Sequence, residues 1–331
     1  MSSRLAALVV MAVGISGTLT GTGDAIAQSY PSRPITIVVP FPPGGVTDTL
    51  GRVLADRMKE PLGQTVVVEN VSGAAGTIGG ARVARAAPDG YTLIVGQWSS
   101  HVGSGALYTL SYDTVNDFAP VSLLTTAPLW ILGPSTLPAK DLRELVAWLK
   151  ENPDRASAAT VGVGSAAHVC LLDFQNKSGT RFQLVPYRGA APVMQDLLGG
   201  QIDLTCLEAS QTLPHYRSGK FRVFGVATKN RWFLAPEVPT IEEGGVAGLQ
   251  MPFWHGLWAP KNTPSEIITK LNAAVIAVFA DPAAQKRFAD MGHEIPPRDQ
   301  LTPVALATHH KAEVEKWWPI IKAANLKAEG Q

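Results

Sequence analysis

The stretch from Ile35 to Lys59, ITIVVPFPPGGVTDTLGRVLADRMK, limits what this chain can fold into more than any other. Ile35, Ile37, Val38 and Val39 form an apolar, β-branched run that reads as a buried strand. Pro40-Phe41-Pro42-Pro43-Gly44-Gly45 is a stiff turn ending in two glycines. Leu50, Val53, Leu54 and Met58 then recur at helical spacing, with Asp48 placed to cap that helix. A strand, a Gly-Gly turn and a helix N-terminus make an anion cradle, because backbone N–H groups point outward and the helix dipole favours negative charge. Prolines stiffen the loop, and glycines let a ligand approach the backbone. The turn is not specific by itself, since many α/β proteins carry it without a ligand.

The design repeats. Thr65 to Glu69 reads as a second buried strand, followed by the glycine-rich turn Asn70 to Gly80 and a short helix over Ala81 to Ala87. The turn lacks the G-x-G-x-x-G order of a dinucleotide fingerprint, and no acidic residue follows at the required distance. Tyr91 to Val95 is a third strand, leading into Gly96-Gln97-Trp98-Ser99-Ser100-His101. Strands alternating with helices argue for a parallel sheet, whose ligands sit beyond the C-terminal strand ends. The loops Pro42–Asp48, Asn70–Gly76 and Trp98–His101 are therefore expected to converge.

Val121 to Leu132 reads as a strand leaving this first unit, and Asp141 to Asn152 as an amphipathic helix. Ala158 to Val163 is a short strand, and Gly164-Ser165-Ala166-Ala167-His168 the next small-residue turn. Strand Phe182–Pro186, turn Tyr187–Pro192 and helix Val193–Leu198 follow. Ile202–Leu207 and Phe221–Ala227 are further strands. Trp254 to Pro260 reads as the strand that returns to the first unit. Thr263-Pro264-Ser265-Glu266 has the pattern of a capping box with Pro at the first helical position. Helices Pro282–Met291 and Pro303–Ala324 close the chain, with Trp317 and Trp318 expected in the core.

The 331 residues are 46% hydrophobic and 17% charged, with a formal net charge of +1. That length supports two domains with good cores. No basic stripe is present, so nucleic acid is excluded as a partner. Arg4, the apolar run Leu5–Val13 and Ala25-Ile26-Ala27 form a secretory signal with cleavage after Ala27. Glycines interrupt that run, which is too short to span a bilayer. Cys170 and Cys206 either pair in an oxidising compartment or stay as two buried free thiols. Free thiols are preferred, because a fold of this size needs no staple.

Taken together, YPSRPITIVVPFPPGGVTDTLGR, PDGYTLIVG, VGSAAH, VPYRGAAPVMQDLLGGQIDL and APEVPTIEEGG resemble the Bug-type, TctC-like receptors of tripartite tricarboxylate transporters. The resemblance runs from about Tyr30 to near the C-terminus. It implies an α/β fold of the two-lobed, type II periplasmic-binding-protein (Venus-flytrap) kind, with the ligand cleft between lobes. Lobe 1 would comprise residues 28–130 and 252–331, and lobe 2 residues 131–251. It also implies a periplasmic monomer without catalysis, cofactor or metal, which delivers a small organic carboxylate to membrane permease subunits. A sensor that presents its loaded form to a membrane histidine kinase fits the same sequence.

Carried over from the family, ligand contacts fall on Phe41, Pro43, Gly44, Gly45 and Asp48, with Gly73, Ala74 and Gly76 in support. Trp98 and Ser99 follow from the third loop. Ser165, Ala166 and His168 come from the second lobe, with Arg188 and the strand end from Asp203 to Glu208. The second loop departs from the family's usual N-[RK]-P-G-A-G-G, and Trp98 stands where small polar residues are usual.

Backbone N–H groups and ordered waters can hold a carboxylate by charge-assisted hydrogen bonds without a cleft lysine or arginine. Arg188 either binds a distal carboxylate or anchors Asp203, with the second role preferred. Asp48 reads as a cap and loop organiser, since a bare carboxylate would repel an anion. His168 donates to the ligand or, preferably, to the backbone. Trp98 either stacks on an aromatic or long aliphatic acid or acts as an apolar lid, with contact preferred. An enzyme is disfavoured. No G-x-S-x-G elbow occurs, and the adjacent His309 and His310 cannot form an i, i+4 metal pair.

Overall fold

The computed structural model describes residues 30–324. The secretory signal therefore lies outside the described residues. The first unit runs β1 (Ile35–Val39), α1 (Val46–Leu62), β2 (Val66–Asn70), α2 (Thr77–Ala84), β3 (Thr92–Gln97) and α3 (Ser104–Leu107). The long strand β4 (Phe118–Pro134) follows. After it come α4 (Leu142–Glu151), β5 (Ser157–Thr160), α5 (Ala166–Ser178), β6 (Gln183–Pro186), α6 (Ala190–Leu198), β7 (Leu204–Glu208), α7 (Ala209–Arg217) and β8 (Phe221–Val226). The chain ends with β9 (Pro252–Pro260), α8 (Ser265–Ala280), α9 (Pro282–Asp290) and α10 (Pro303–Ala323).

The strand order is β2-β1-β3-β9-β4-β7-β5-β6, with β8 also paired to β4. Within β2-β1-β3 and within β7-β5-β6 the pairing is parallel, as the alternation of strands and helices predicts. The sheet as a whole is mixed, because β9 and β4 join the two triplets antiparallel. Strand β4 makes this possible by its length. Residues 118–128 pair with β9, while residues from Leu129 onward pair with β7 and β8. It begins before and ends after the expected Val121–Leu132. Pro128 sits in it where the partner changes, a place where a missing N–H costs little.

The core follows from the apolar periodicity. Ile35, Ile37, Val38 and Val39 are fully buried, and α1 buries Leu50, Leu54, Met58 and Leu62. Helix α10 seats Trp317 in the core, and Trp318 Nε1 donates to the Val102 carbonyl. Among the described residues no single helix is long and apolar enough to cross a membrane.

Three local expectations are corrected. Cys170 and Cys206 form a disulfide instead of two free thiols, tying α5 to β7 across 36 residues. Fold size says whether a staple is needed; only the packing of α5 on β7 places the two side chains together. The capping box at Thr263 does not form. The Thr263 hydroxyl donates to the Pro260 carbonyl instead, and α8 starts at Ser265 without a side-chain cap. The short helix expected over Ala81–Ala87 starts earlier, at Thr77, because Ala74–Gly76 already form a tight helical turn.

Candidate functional site

The loops that follow β1, β2, β3, β5, β6 and β7 open onto one cavity of about 770 Å³. This is the C-terminal edge of both parallel triplets, where α/β sheets place their ligands. The expected convergence of the first three loops is realised by side-chain ties. The Asn70 amide donates to the Phe41 carbonyl at 3.1 Å and to Asp48 at 2.9 Å. A Cβ on Gly76 would lie 2.9 Å from Ser100 and 3.3 Å from Pro40.

Three helices begin at the cavity wall. Val46 and Thr47 of α1, Ala166 and Ala167 of α5, and Ala190 and Ala191 of α6 all line it. The first turn of a helix leaves N–H groups without intrahelical partners. Only α5 has a side-chain cap, Ser165 Oγ accepting from His168 N at 3.2 Å; α1 and α6 start at Gly45 and Gly189 with none. Three positive dipole ends therefore face one space. Arg188 lines the same wall, exposed, and has no hydrogen-bond or ion-pair partner among the described residues.

Opposite sides of the cavity meet closely beside it. Ala166 N donates to Ser99 Oγ at 3.4 Å, and Ser99 N donates to Gln97 Oε1 at 2.6 Å. A Cβ on Gly103 would stand 2.7 Å from the Gly164 carbonyl oxygen, so only glycine allows this approach. Behind Thr47, its hydroxyl lies 3.2 Å from His255 Nε2. Burial, and then the nearby His293, push the His255 imidazole well below its ordinary pKa. Glu208, at the end of β7, is 4% exposed. Burial pushes its carboxyl up to about 7, against the weaker lowering influence of the nearby Gln211 and Ser210 side chains.

Of the residues carried over from the resemblance, Phe41, Pro43, Gly44, Gly45, Ser99, Ser165, Ala166, Arg188 and Glu208 line this cavity. Others do not. Asp48 is buried beneath the loop, accepting from Gly44 N at 2.8 Å, Arg52 at 3.0 Å and Asn70. It is the third residue of α1, so it organises the loop from inside the helix instead of standing at the cap position. Burial alone would raise its carboxyl, but Arg52, Gly44 and Asn70 together hold it below the usual range. From the second loop the lining residue is Ala75, with φ of 55°, and not Gly73, Ala74 or Gly76. Left-handed backbone at a non-glycine residue is strain of a kind that gathers at functional sites.

Trp98 is corrected most clearly. It is fully buried, edge-on to Trp317 with ring centroids 5.8 Å apart, and belongs to the core. The wide helical turn over Ser99–Gly103 points the indole inward and leaves Ser99 at the cavity. His168 is also buried away from the cavity; burial lowers its imidazole, opposed by the weaker pull of the Gly162 carbonyl, toward which the ring donates. Asp203 immediately precedes β7, at the end away from the cavity, where it accepts from Ser157 N at 2.8 Å. It therefore does not pair with Arg188. Sequence reading missed Gln97, Thr47, Leu129 and Phe253. The first two flank motifs that it used. Leu129 and Phe253 belong to the crossing of β4 and β9, which no local pattern announces.

An α/β sheet whose parallel triplets open their C-terminal edges onto one shared cavity is the architecture of periplasmic binding proteins. The sequence signature of the tripartite tricarboxylate transporter family receptors matches residues 50–326, and the chain belongs to that family. MatC from Rhodopseudomonas palustris, solved with bound malate, is 38% identical and superposes with a TM-score of 0.81 over 88% of this chain and 100% of its own. A second R. palustris protein, solved with adipate, is 32% identical with a TM-score of 0.83, covering 90% and 99%. Protein BugT of Bordetella pertussis is 33% identical over 98% of both chains.

Proposed function

We propose that this protein is a periplasmic receptor that captures a small dicarboxylate in the 770 Å³ cavity and delivers it to a tripartite-type membrane permease. One observation carries the reading: three helix N-termini and the unpaired Arg188 line one space. One carboxylate would be held by N–H groups of the α1 turn, a second would lie toward α5, α6 and Arg188. The bound malate and adipate of two relatives support a dicarboxylate of four to six carbons. Residues 28–130 with 252–331 would act as one lobe and residues 131–251 as the other, with β4 and β9 as the crossing strands. Closure on ligand would create the form the permease recognises. The chain would be exported, cleaved after Ala27, and act as a monomer.

A thermal-shift screen of the chain from Gln28 onward, against mono-, di- and tricarboxylates and amino acids, tests this. A dicarboxylate at a hundredfold excess over its dissociation constant is expected to add about 2.7 kcal/mol. A screen in which only amino acids or only monocarboxylates shift the melt would replace the reading.

A further inference from the structure

Near the end of β7 five buried polar atoms have no hydrogen-bond partner: Glu208 Oε1, Ser210 Oγ, both ring nitrogens of His293 and His255 Nδ1. Buried polar atoms are normally paired, and a cluster of orphans calls for an explanation. Glu208 Oε1 and His293 Nε2 face each other at 3.6 Å, too far for a hydrogen bond. The other carboxyl oxygen accepts a long 3.4 Å contact from Gln211, and the Ser210 side chain also lies beside the carboxyl. Glu208 itself lines the proposed ligand cavity.

An ionised Glu208 would confront an anion in the same cavity. A protonated one would donate a hydrogen bond to it. Resting on the dicarboxylate reading above, we propose that Glu208 is a specificity-determining residue that binds the ligand as a proton donor, so that the cleft takes up one proton with each anion. The groups that face Glu208 are consistent with this. His293, on the segment after α9, is held neutral by burial, its pKa lowered to about 4, so it supplies no counter-charge. His255 on β9, behind His293, is likewise neutral. His215 on α7 and Arg188 share the cavity; Arg188 is exposed to solvent and forms no ion pair with Glu208. His293 also lines a second cavity, of about 840 Å³.

The test is calorimetric titration of the wild-type chain and of Glu208→Gln with malate and with adipate, from pH 6 to 9, in buffers of different ionisation enthalpy. Wild type is expected to take up close to one proton per anion at pH 8, with affinity falling about tenfold per pH unit above neutrality. Glu208→Gln, whose amide still donates, is expected to bind without proton uptake and with little pH dependence. Binding by wild type without proton uptake overturns the proposal, and needs no variant. Uptake that persists in Glu208→Gln assigns the proton elsewhere and also overturns it. No binding of either acid at any pH removes the dicarboxylate reading, and the proposal with it.

Discussion

The carboxylate of Asp48 accepts a hydrogen bond from the Gly44 N–H at 2.8 Å, reaching back from the first turn of α1 into the loop that precedes it. The same carboxylate holds Asn70, which in turn holds the Phe41 carbonyl. One buried acid thus fixes the turn after β1 and ties it to the end of β2. Asp48→Ala is expected to cost about 1–3 kcal/mol, the penalty for leaving buried partners unsatisfied, and to weaken anion binding. Chemical denaturation and ligand titration check both. Unchanged affinity would mean that the loop is held without Asp48.

Gly44 has φ of +83°, and an added Cβ would meet nothing within 4 Å. The strain in Gly44→Val is therefore in the backbone, about 1–2 kcal/mol for a non-glycine residue in this region. Relief of that strain reshapes the turn, so every anionic ligand should lose affinity alike. A change in preference order with full overall affinity would contradict this.

Trp98→Ala should behave as a core deletion. The expected loss is about 3–5 kcal/mol of stability, with the order of ligand preference unchanged in the surviving folded protein. A switch in preference at normal stability would return Trp98 to the cavity.

The Cys170–Cys206 disulfide closes 36 residues and links α5, whose first turn lines the cavity, to Cys206 in the cavity wall. The double Cys→Ser variant is expected to lose about 3–4 kcal/mol by chain-entropy arithmetic. Equal melting temperatures with and without reductant would show that the link adds nothing.

Stability should fall in mild acid. Burial lowers the imidazoles of His101, His255, His293 and His310, the last two to about 4. Their neutral forms favour the folded state above the ordinary value of 6.5, and this contribution is lost as pH falls from there toward 4. Glu208 runs the other way: its raised pKa favours folding below 4.5 and is lost as pH rises toward 7. Four imidazoles outweigh one carboxyl, so melting temperature should drop between pH 6.5 and 5, and drop faster in Glu208→Gln. A flat profile would contradict the burial of these rings.

The local code of this chain is plain because strands and helices are short-range objects. The β-branched run Ile35–Val39, the Gly44-Gly45 turn and the helical spacing from Leu50 to Met58 specify one strand–turn–helix unit. Its repetition at Ala158–His168 and Phe182–Leu198 gives the α/β class and the edge at which the cavity forms. What the sequence could not give depends on distance between residues far apart in the chain. Trp98 and Ser99 are neighbours in sequence, yet the turn after β3 sends the indole to Trp317 and leaves the hydroxyl at the cavity. Asp203 and Glu208 stand at the two ends of β7, yet only the second reaches the cavity. The Cys170–Cys206 bond and the facing of Glu208 and His293 arise from packing alone. Periodicity fixes which residues turn inward; only the crossing of β4 and β9 decides which of them meet.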